Sequence, residues 1–296
     1  MNKKENSIDK KTVKSKRRMN KTPQQREREV MRKLVKQKGS YRAKKRKAAI
    51  LQALHNVGEY TLLMKKVFTK PDRWSMFLRQ LVDEIVKIGI SSIWIVMIIS
   101  FFIGAVITIQ LAINMSSPLI PPFTIGYATR EIVLLEFSSS IMCLILAGKV
   151  GSSIASELGT MRVTEQIDAL EMMGINSANF LILPKISAFL VFVPVLAIIS
   201  MTIAIIGGFI ATYVTPDLTA TDFEYGMKLF FTPYNILNSI LKNLVYAFII
   251  SSGSCYFGYT VKGGALAVGR MSTNAVVTSS VLILLADLLL TNLLLL

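Results

Sequence analysis

The sequence predicts an all-α integral membrane protein: an amphipathic interfacial helix, five transmembrane helices, and a polar cytoplasmic helix between the second and the third. Three observations carry this. The 296 residues are 52% hydrophobic and only 18% charged, with a mean hydropathy of +0.50, whereas a soluble domain carries about 25% charged residues. Five apolar runs are each long enough to cross a hydrocarbon core of ~30 Å as a helix. The whole net charge of +16 sits in the first fifty residues, which hold 20 of the 34 Lys and Arg and four of the 18 acids; residues 51–296 hold 14 of each sign. An ordinary soluble enzyme, a disulfide scaffold and a wholly disordered chain are excluded.

The basic segment has no apolar run or small-residue cleavage site behind it, so it does not read as a signal peptide. Residues 1–21 are polar and lysine-rich, and their default is disorder. Thr22-Pro23-Gln24-Gln25 opens a helix with a cap, a first-turn proline and a capping-box glutamine; it runs to Lys38 and stops at Gly39. A second basic helix starts near Ala43 and becomes amphipathic through Ile50, Leu51, Leu54, Val57, Leu62, Leu63, Val67 and Phe68, ending at Lys70-Pro71. Trp74–Lys87 repeats the pattern with Trp74, Phe77, Leu78, Leu81 and Ile85. Residues 49–87 therefore read as helices lying in the membrane interface, after a tail at 1–48.

The apolar runs are Ile88–Ile113, Ile132–Ile154, Ile186–Val214 with Pro194 inside, Asn243–Val261, and Met271–Leu296, which carries only Asp287. Extended to plausible ends, the spans fall at about 88–113, 132–154, 183–214, 236–261 and 271–296. The second is rich in Ser138, Ser139, Ser140, Ala147, Gly148 and Gly151, which suits packing among other helices. Gly104, Gly207, Gly208, Gly253 and Gly258 would likewise admit close approach. Five crossings separate the termini. Excluding the tail, one side (51–87, 148–185, 260–270) holds 11 Lys and Arg and the other (114–131, 215–242) holds Arg130, Lys228 and Lys242. The positive side is cytoplasmic, so the N-terminus is inside and Leu296 outside. The outer connections carry Pro118, Pro121, Pro122, Pro216 and Pro233.

One stretch stands apart. After a break at Gly159-Thr160, Val163–Met173 reads as a helix closed by Gly174. Val163, Ile167, Leu170 and Gly174 share one face, and Glu165, Asp168 and Glu171 form an acidic stripe on another. It is either a solvated connecting helix or a contact surface.

The run Leu146-Ala-Gly-Lys-Val-Gly-Ser-Ser-Ile-Ala-Ser-Glu-Leu-Gly-Thr-Met-Arg-Val-Thr-Glu-Gln-Ile-Asp-Ala-Leu-Glu-Met-Met-Gly174 resembles the signature of the MlaE (YrbE) permease family. Leu183-Pro184-Lys185 fits it, as do Lys262–Ser280 and Asp287. The resemblance covers roughly 50–296 and leaves out the tail. It implies a permease subunit of an ABC transporter of phospholipid in the inner membrane of a bacterium. It also implies a homodimer, a separate cytoplasmic ATPase, and an MCE-domain lipid-binding protein on the far side. Residues 151–174 would be the coupling helix, with Glu157, Arg162, Glu165, Gln166 and Asp168 as contact residues and Met161 and Leu170 packing beside them.

The chain shows no phosphate-binding loop: Gly148-Lys149 lacks the upstream glycine and the following Ser or Thr. No metalloprotease or nucleophile-elbow motif is present. Cys143 and Cys255 lie in apolar stretches, and His55 reads as a bystander. No catalytic residue, cofactor or metal site is expected. Asp287 is a candidate intramembrane polar site; the alternative is a structural hydrogen bond to a neighbouring hydroxyl, with Thr291 and Asn292 at hand. The tail has three readings: a solvated arm, a binder of anionic lipid, or a non-specific nucleic-acid binder. The alternative function is an ATPase-independent channel or secondary transporter, against which the absence of inverted repeats counts.

Overall fold

The computed structural model describes residues 54–70, 74–115, 120–216 and 218–295. The expectations for the tail and for the helix at 22–38 lie outside the described residues. The chain divides into two units, Met1–Thr61 and Leu62–Leu296. In the first, the described residues are helical, and His55 pairs with Glu59 one turn on at 3.1 Å.

The helices are α1 (54–67), α2 (Trp74–Asn114), α3 (Phe123–Val163), α4 (Gln166–Met172), α5 (Ser177–Ala211), α6 (Ala220–Lys228), α7 (Tyr234–Tyr259) and α8 (Ala265–Leu295). Five of them (α2, α3, α5, α7 and α8) are long and apolar enough to cross a membrane. The expected interfacial stretch Trp74–Lys87 is not a separate helix. It is the opening of the 41-residue α2, joined to the apolar part by a π-helical turn at Ile85–Ile90. Leu63, Met64 and Val67, in the last turns of α1, are buried, and Phe68 stacks on Phe248.

Why α2 pairs with α5 is written in a four-residue repeat. Ser92, Val96, Ser100, Gly104, Thr108 and Ala112 form one buried stripe. Small side chains there let the backbones meet. A methyl on Gly104 would lie 1.9 Å from the Ala204 carbonyl oxygen, and one on Gly207 would lie 2.1 Å from that of Phe101. Ser100 and Ser200 share a hydrogen bond of 2.8 Å at the same seam. The opposite face of α2, with Trp94, Ile98, Phe102, Val106 and Ile113, is exposed.

The second span, expected at 132–154, is the middle of the 41-residue α3. Two π-helical stretches, Val133–Ile141 and Ala147–Gly151, interrupt it. Serine hydroxyls bond back to the preceding turn there, Ser138 to the Leu134 carbonyl at 3.0 Å and Ser139 to that of Leu135 at 2.9 Å. Such bonds compete with the regular ladder. The third span begins at Ser177 and carries Pro184 as well as Pro194.

The expected break at Gly159-Thr160 is absent. The helix runs to Val163, and Gly159 serves contact instead: a methyl there would lie 2.9 Å from Val268 Cγ1. The break falls at Thr164-Glu165, where Glu165 takes φ +59°. Val163 therefore belongs to α3, not to α4. Lys242, counted above in an outer loop, lies within α7 and is buried. Arg130 is likewise inside α3 and buried.

Candidate functional site

Two polar assemblies and one short helix make up the candidate site. The short helix is α4. Its ending follows the glycine rule: Gly174 at φ +77° donates to the Glu171 carbonyl at 3.0 Å, and Ile175 donates to that of Leu170 at 3.1 Å. That pair of bonds closes the helix as a Schellman motif.

Three anchors hold α4. Ile167 is fully buried beneath it. Arg162, at the end of α3, donates to Asp168 at 2.6 Å while its guanidinium lies 6.0 Å from the centre of the Tyr259 ring. Glu171 accepts hydrogen bonds from Ser177 at 2.8 Å and from Tyr259 at 2.9 Å. The Ser177 and Tyr259 donors hold its carboxyl below the ordinary carboxylate value. The acidic stripe is thus divided. Asp168 and Glu171 are turned to internal partners, whereas Glu165 caps nothing with its side chain and is exposed. Gln166 and Ala169 are exposed beside it, and Met161 and Leu170 are half-buried. Reading the sequence missed Met172 and Met173, which are 83% and 66% exposed. Two adjacent methionines in a polar segment were the available signal.

Glu157 is not on that crest. It sits in an ionic cluster where α2, α3 and α5 meet. Lys185 of α5 donates to Glu84 of α2 at 2.5 Å and to Glu157 of α3 at 2.9 Å, while Lys87 of α2 donates to the other oxygen of Glu157 at 2.6 Å. The Lys185 side chain is 3% exposed, so these are desolvated, charge-assisted bonds. Lys149 also reaches the Ser91 carbonyl of α2.

The second assembly joins α3, α7 and α8. Asp287 accepts hydrogen bonds from Tyr246 at 2.7 Å and Thr291 at 3.3 Å, and lies 3.4 Å from the Lys242 ammonium. Lys242 donates to Thr291 at 2.7 Å and also lies 3.4 Å from Glu136. Asp287 is therefore partnered within the fold, by Thr291, which the sequence offered, and by Tyr246 and Lys242, which it did not.

A cleft of about 190 Å³ opens between α3, α5 and α7, lined by Leu134, Ile198, Met201, Ile205 and Phe231 with Arg130 at one end. Arg130 is not available to an anionic ligand there. Its guanidinium donates to Glu131 and to the Met227, Leu229 and Phe230 carbonyls at the end of α6 and just past it. It fastens that end of the bundle.

These features define a class: a multi-pass helical membrane subunit with a short, anchored polar helix projecting between its second and third spans. Residues 81–293 match the model of the family Permease MlaE. The chain is 32% identical over 247 residues to a protein of Rickettsia bellii (strain RML369-C) named "Probable ABC transporter permease protein", covering 82% of this chain and 93% of the relative. It is 32% identical to a similarly named protein of Synechocystis, over 71% of this chain and 79% of that one, and 34% identical to one of Pyropia yezoensis, over 67% and 75%. The chain belongs to the MlaE family of ABC transporter permeases.

Proposed function

We propose that this permease moves phospholipid between the inner membrane of a bacterium and an MCE-domain lipid-binding protein outside it. Two copies work together, and a separate cytoplasmic ATPase drives each through residues 151–174. The observation that carries the coupling part is the divided stripe of α4. Its inner groups fix the helix to α3, α5 and α7, and its outer groups Glu165, Gln166, Met172 and Met173 remain exposed. An anchored helix with an exposed, chemically mixed crest is suited to seat in a partner's groove and pass on its displacement. Glu157, Arg162 and Asp168 support that seat from within, while Met161 and Leu170 pack at its base.

The lipid and the MCE partner rest on the resemblance of the 146–174 run to the family signature. The orientation rests on basic residues. With Arg130 and Lys242 folded into buried positions, Lys228 is the one exposed cation among the three counted on the outer side, which widens the asymmetry that puts the α4 side in the cytoplasm. Asp287 acts structurally in this reading, as the acceptor that keeps Lys242 and Tyr246 satisfied.

Glu165→Lys combined with Met172→Asp and Met173→Asp is expected to reduce capture of the ATPase at least tenfold in co-purification, with the permease still inserted. An unchanged complex removes the role assigned to this crest. Deleting 1–48 is expected to leave capture intact.

A further inference from the structure

The start of α5 faces two ways. Asn176 is its N-cap, and its side-chain oxygen accepts a hydrogen bond from the Asn179 backbone N–H at 3.3 Å. The amide nitrogen of the same side chain points elsewhere, donating to the Lys66 carbonyl at 3.1 Å and to Thr69 Oγ1 at 3.2 Å. Asn179, almost fully buried, donates to the Val67 and Thr69 carbonyls, both at 2.7 Å. The last carbonyls of a helix have no partner within it. Those of Lys66 and Val67 in α1 find partners on two asparagines that also open α5.

These asparagines lie immediately beyond α4. The backbone passes from Gly174 and Ile175, which close α4, straight to Asn176, and Ser177 is itself hydrogen-bonded to Glu171 of α4. A displacement of α4 therefore reaches the two asparagines before it reaches the apolar part of α5. Val67 is fully buried and Phe68, though exposed on one side, stacks on Phe248, so the end of α1 is packed on the bundle.

We infer that Asn176 and Asn179 are positioning residues that carry the motion of α4 to α1. A stroke on α4 then moves the helix preceding the first span as well as the second and third spans. This rests on the coupling role proposed above for α4. Amide side chains suit the task because each offers donor and acceptor at once, joining the start of one helix to the end of another without introducing charge.

The variant that separates clasp from cap is Asn176→Asp with Asn179→Leu. Aspartate is as good an N-cap as asparagine but has no amide donor for Lys66 or Thr69, and leucine keeps the branched skeleton of the second side chain without its donor. The test uses the permease assembled with its ATPase in lipid vesicles. Three readouts are taken: trypsin cleavage at Lys66–Val67, the nucleotide-dependent distance between spin labels at Leu62→Cys and Val191→Cys, and cross-linking of Glu165→Cys to the ATPase. We expect cleavage at least tenfold faster, because it follows the population of the open segment. We also expect loss of the distance change on trapping with ATP and vanadate, and an unaltered cross-link. Parent-like cleavage and an intact distance change would overturn the inference alone. Absence of the cross-link in the parent complex would overturn the coupling role and this inference with it. Where the double variant does not assemble, Asn176→Asp alone is read by the same three measurements, with a smaller effect in the same direction.

Discussion

Two buried lysines among the described residues, Lys185 and Lys242, are held in opposite styles. Lys185 sits between two carboxylates at 2.5 and 2.9 Å, and a second lysine, Lys87, balances the account of charge at Glu157. Lys242 lies 3.4 Å from both of its carboxylates, Glu136 and Asp287, and its shortest bond, 2.7 Å, is to a hydroxyl, Thr291. The first cluster has two acids and two bases and draws α2, α3 and α5 together at direct contact. The second has two acids for one base among its ion-pairing groups, and hydroxyls fill the remaining places. The contrast separates a stiff joint at the α4 side from a looser arrangement among α3, α7 and α8, whose members can exchange partners at little cost.

Breaking the joint has the largest expected effect. Lys185→Met leaves Glu84 without its cation and Glu157 with one, and removing one partner of a buried pair costs about 3–5 kcal/mol. The measure is thermal unfolding of the purified protein in detergent. Adding Glu84→Leu should recover much of the loss, because Glu157 retains Lys87. Lys242→Met is expected to cost less, about 1–3 kcal/mol, since Asp287 keeps its bonds from Tyr246 and Thr291. If Lys242→Met proves as damaging as Lys185→Met in the same melt, the distinction between the two clusters fails.

The smallest effect concerns pH and the anchoring of α4. Glu171 has a carboxyl pKa lowered from the ordinary 4.5 by the Ser177 and Tyr259 donors. A lowered carboxyl stabilises the fold fully above the ordinary value and loses that contribution as pH falls through the lowered one. Protection of the α4 amides from hydrogen exchange should therefore hold through neutral pH and weaken only in acid below about 4.5. Tyr259→Phe should bring the lowered value back toward the ordinary one and so shrink the acid-dependent loss of protection, with its onset unmoved. A loss of the same size in that variant would show that Tyr259 does not take part.

Much of the bundle was legible because hydropathy reads directly as span: α2 and α3 contain the apolar runs named from the sequence, and α5, α7 and α8 contain all but the last residues of theirs. Their ends were less legible, because buried polar and charged residues extend the helices past the apolar runs. Arg130 and Lys242 are the clearest cases: counted as loop charges, they are inside α3 and α7. Gly159 misled for a related reason. A glycine ends a helix or lets one approach, and only the position of Val268 shows which. At the candidate site, the closure of α4 by Gly174 was readable locally. The Glu84–Lys185–Glu157 joint was not, because its members come from three helices. Nor was the division of the acidic stripe, which depends on Ser177 and Tyr259 reaching Glu171.

The continuity of α2 has a mechanical consequence. At a rise of 1.5 Å per residue its 41 residues make a rod of about 60 Å, twice the thickness of a hydrocarbon core. Glu84 and Lys87, which bind it to the neighbouring spans, lie in its first half, on and beside the π-helical turn. The rest of its length is held against α5 by the stripe from Ser92 to Ala112. A displacement at Trp74 is therefore carried by α2 and α5 as a pair, and is delivered at Asn114 across the bilayer.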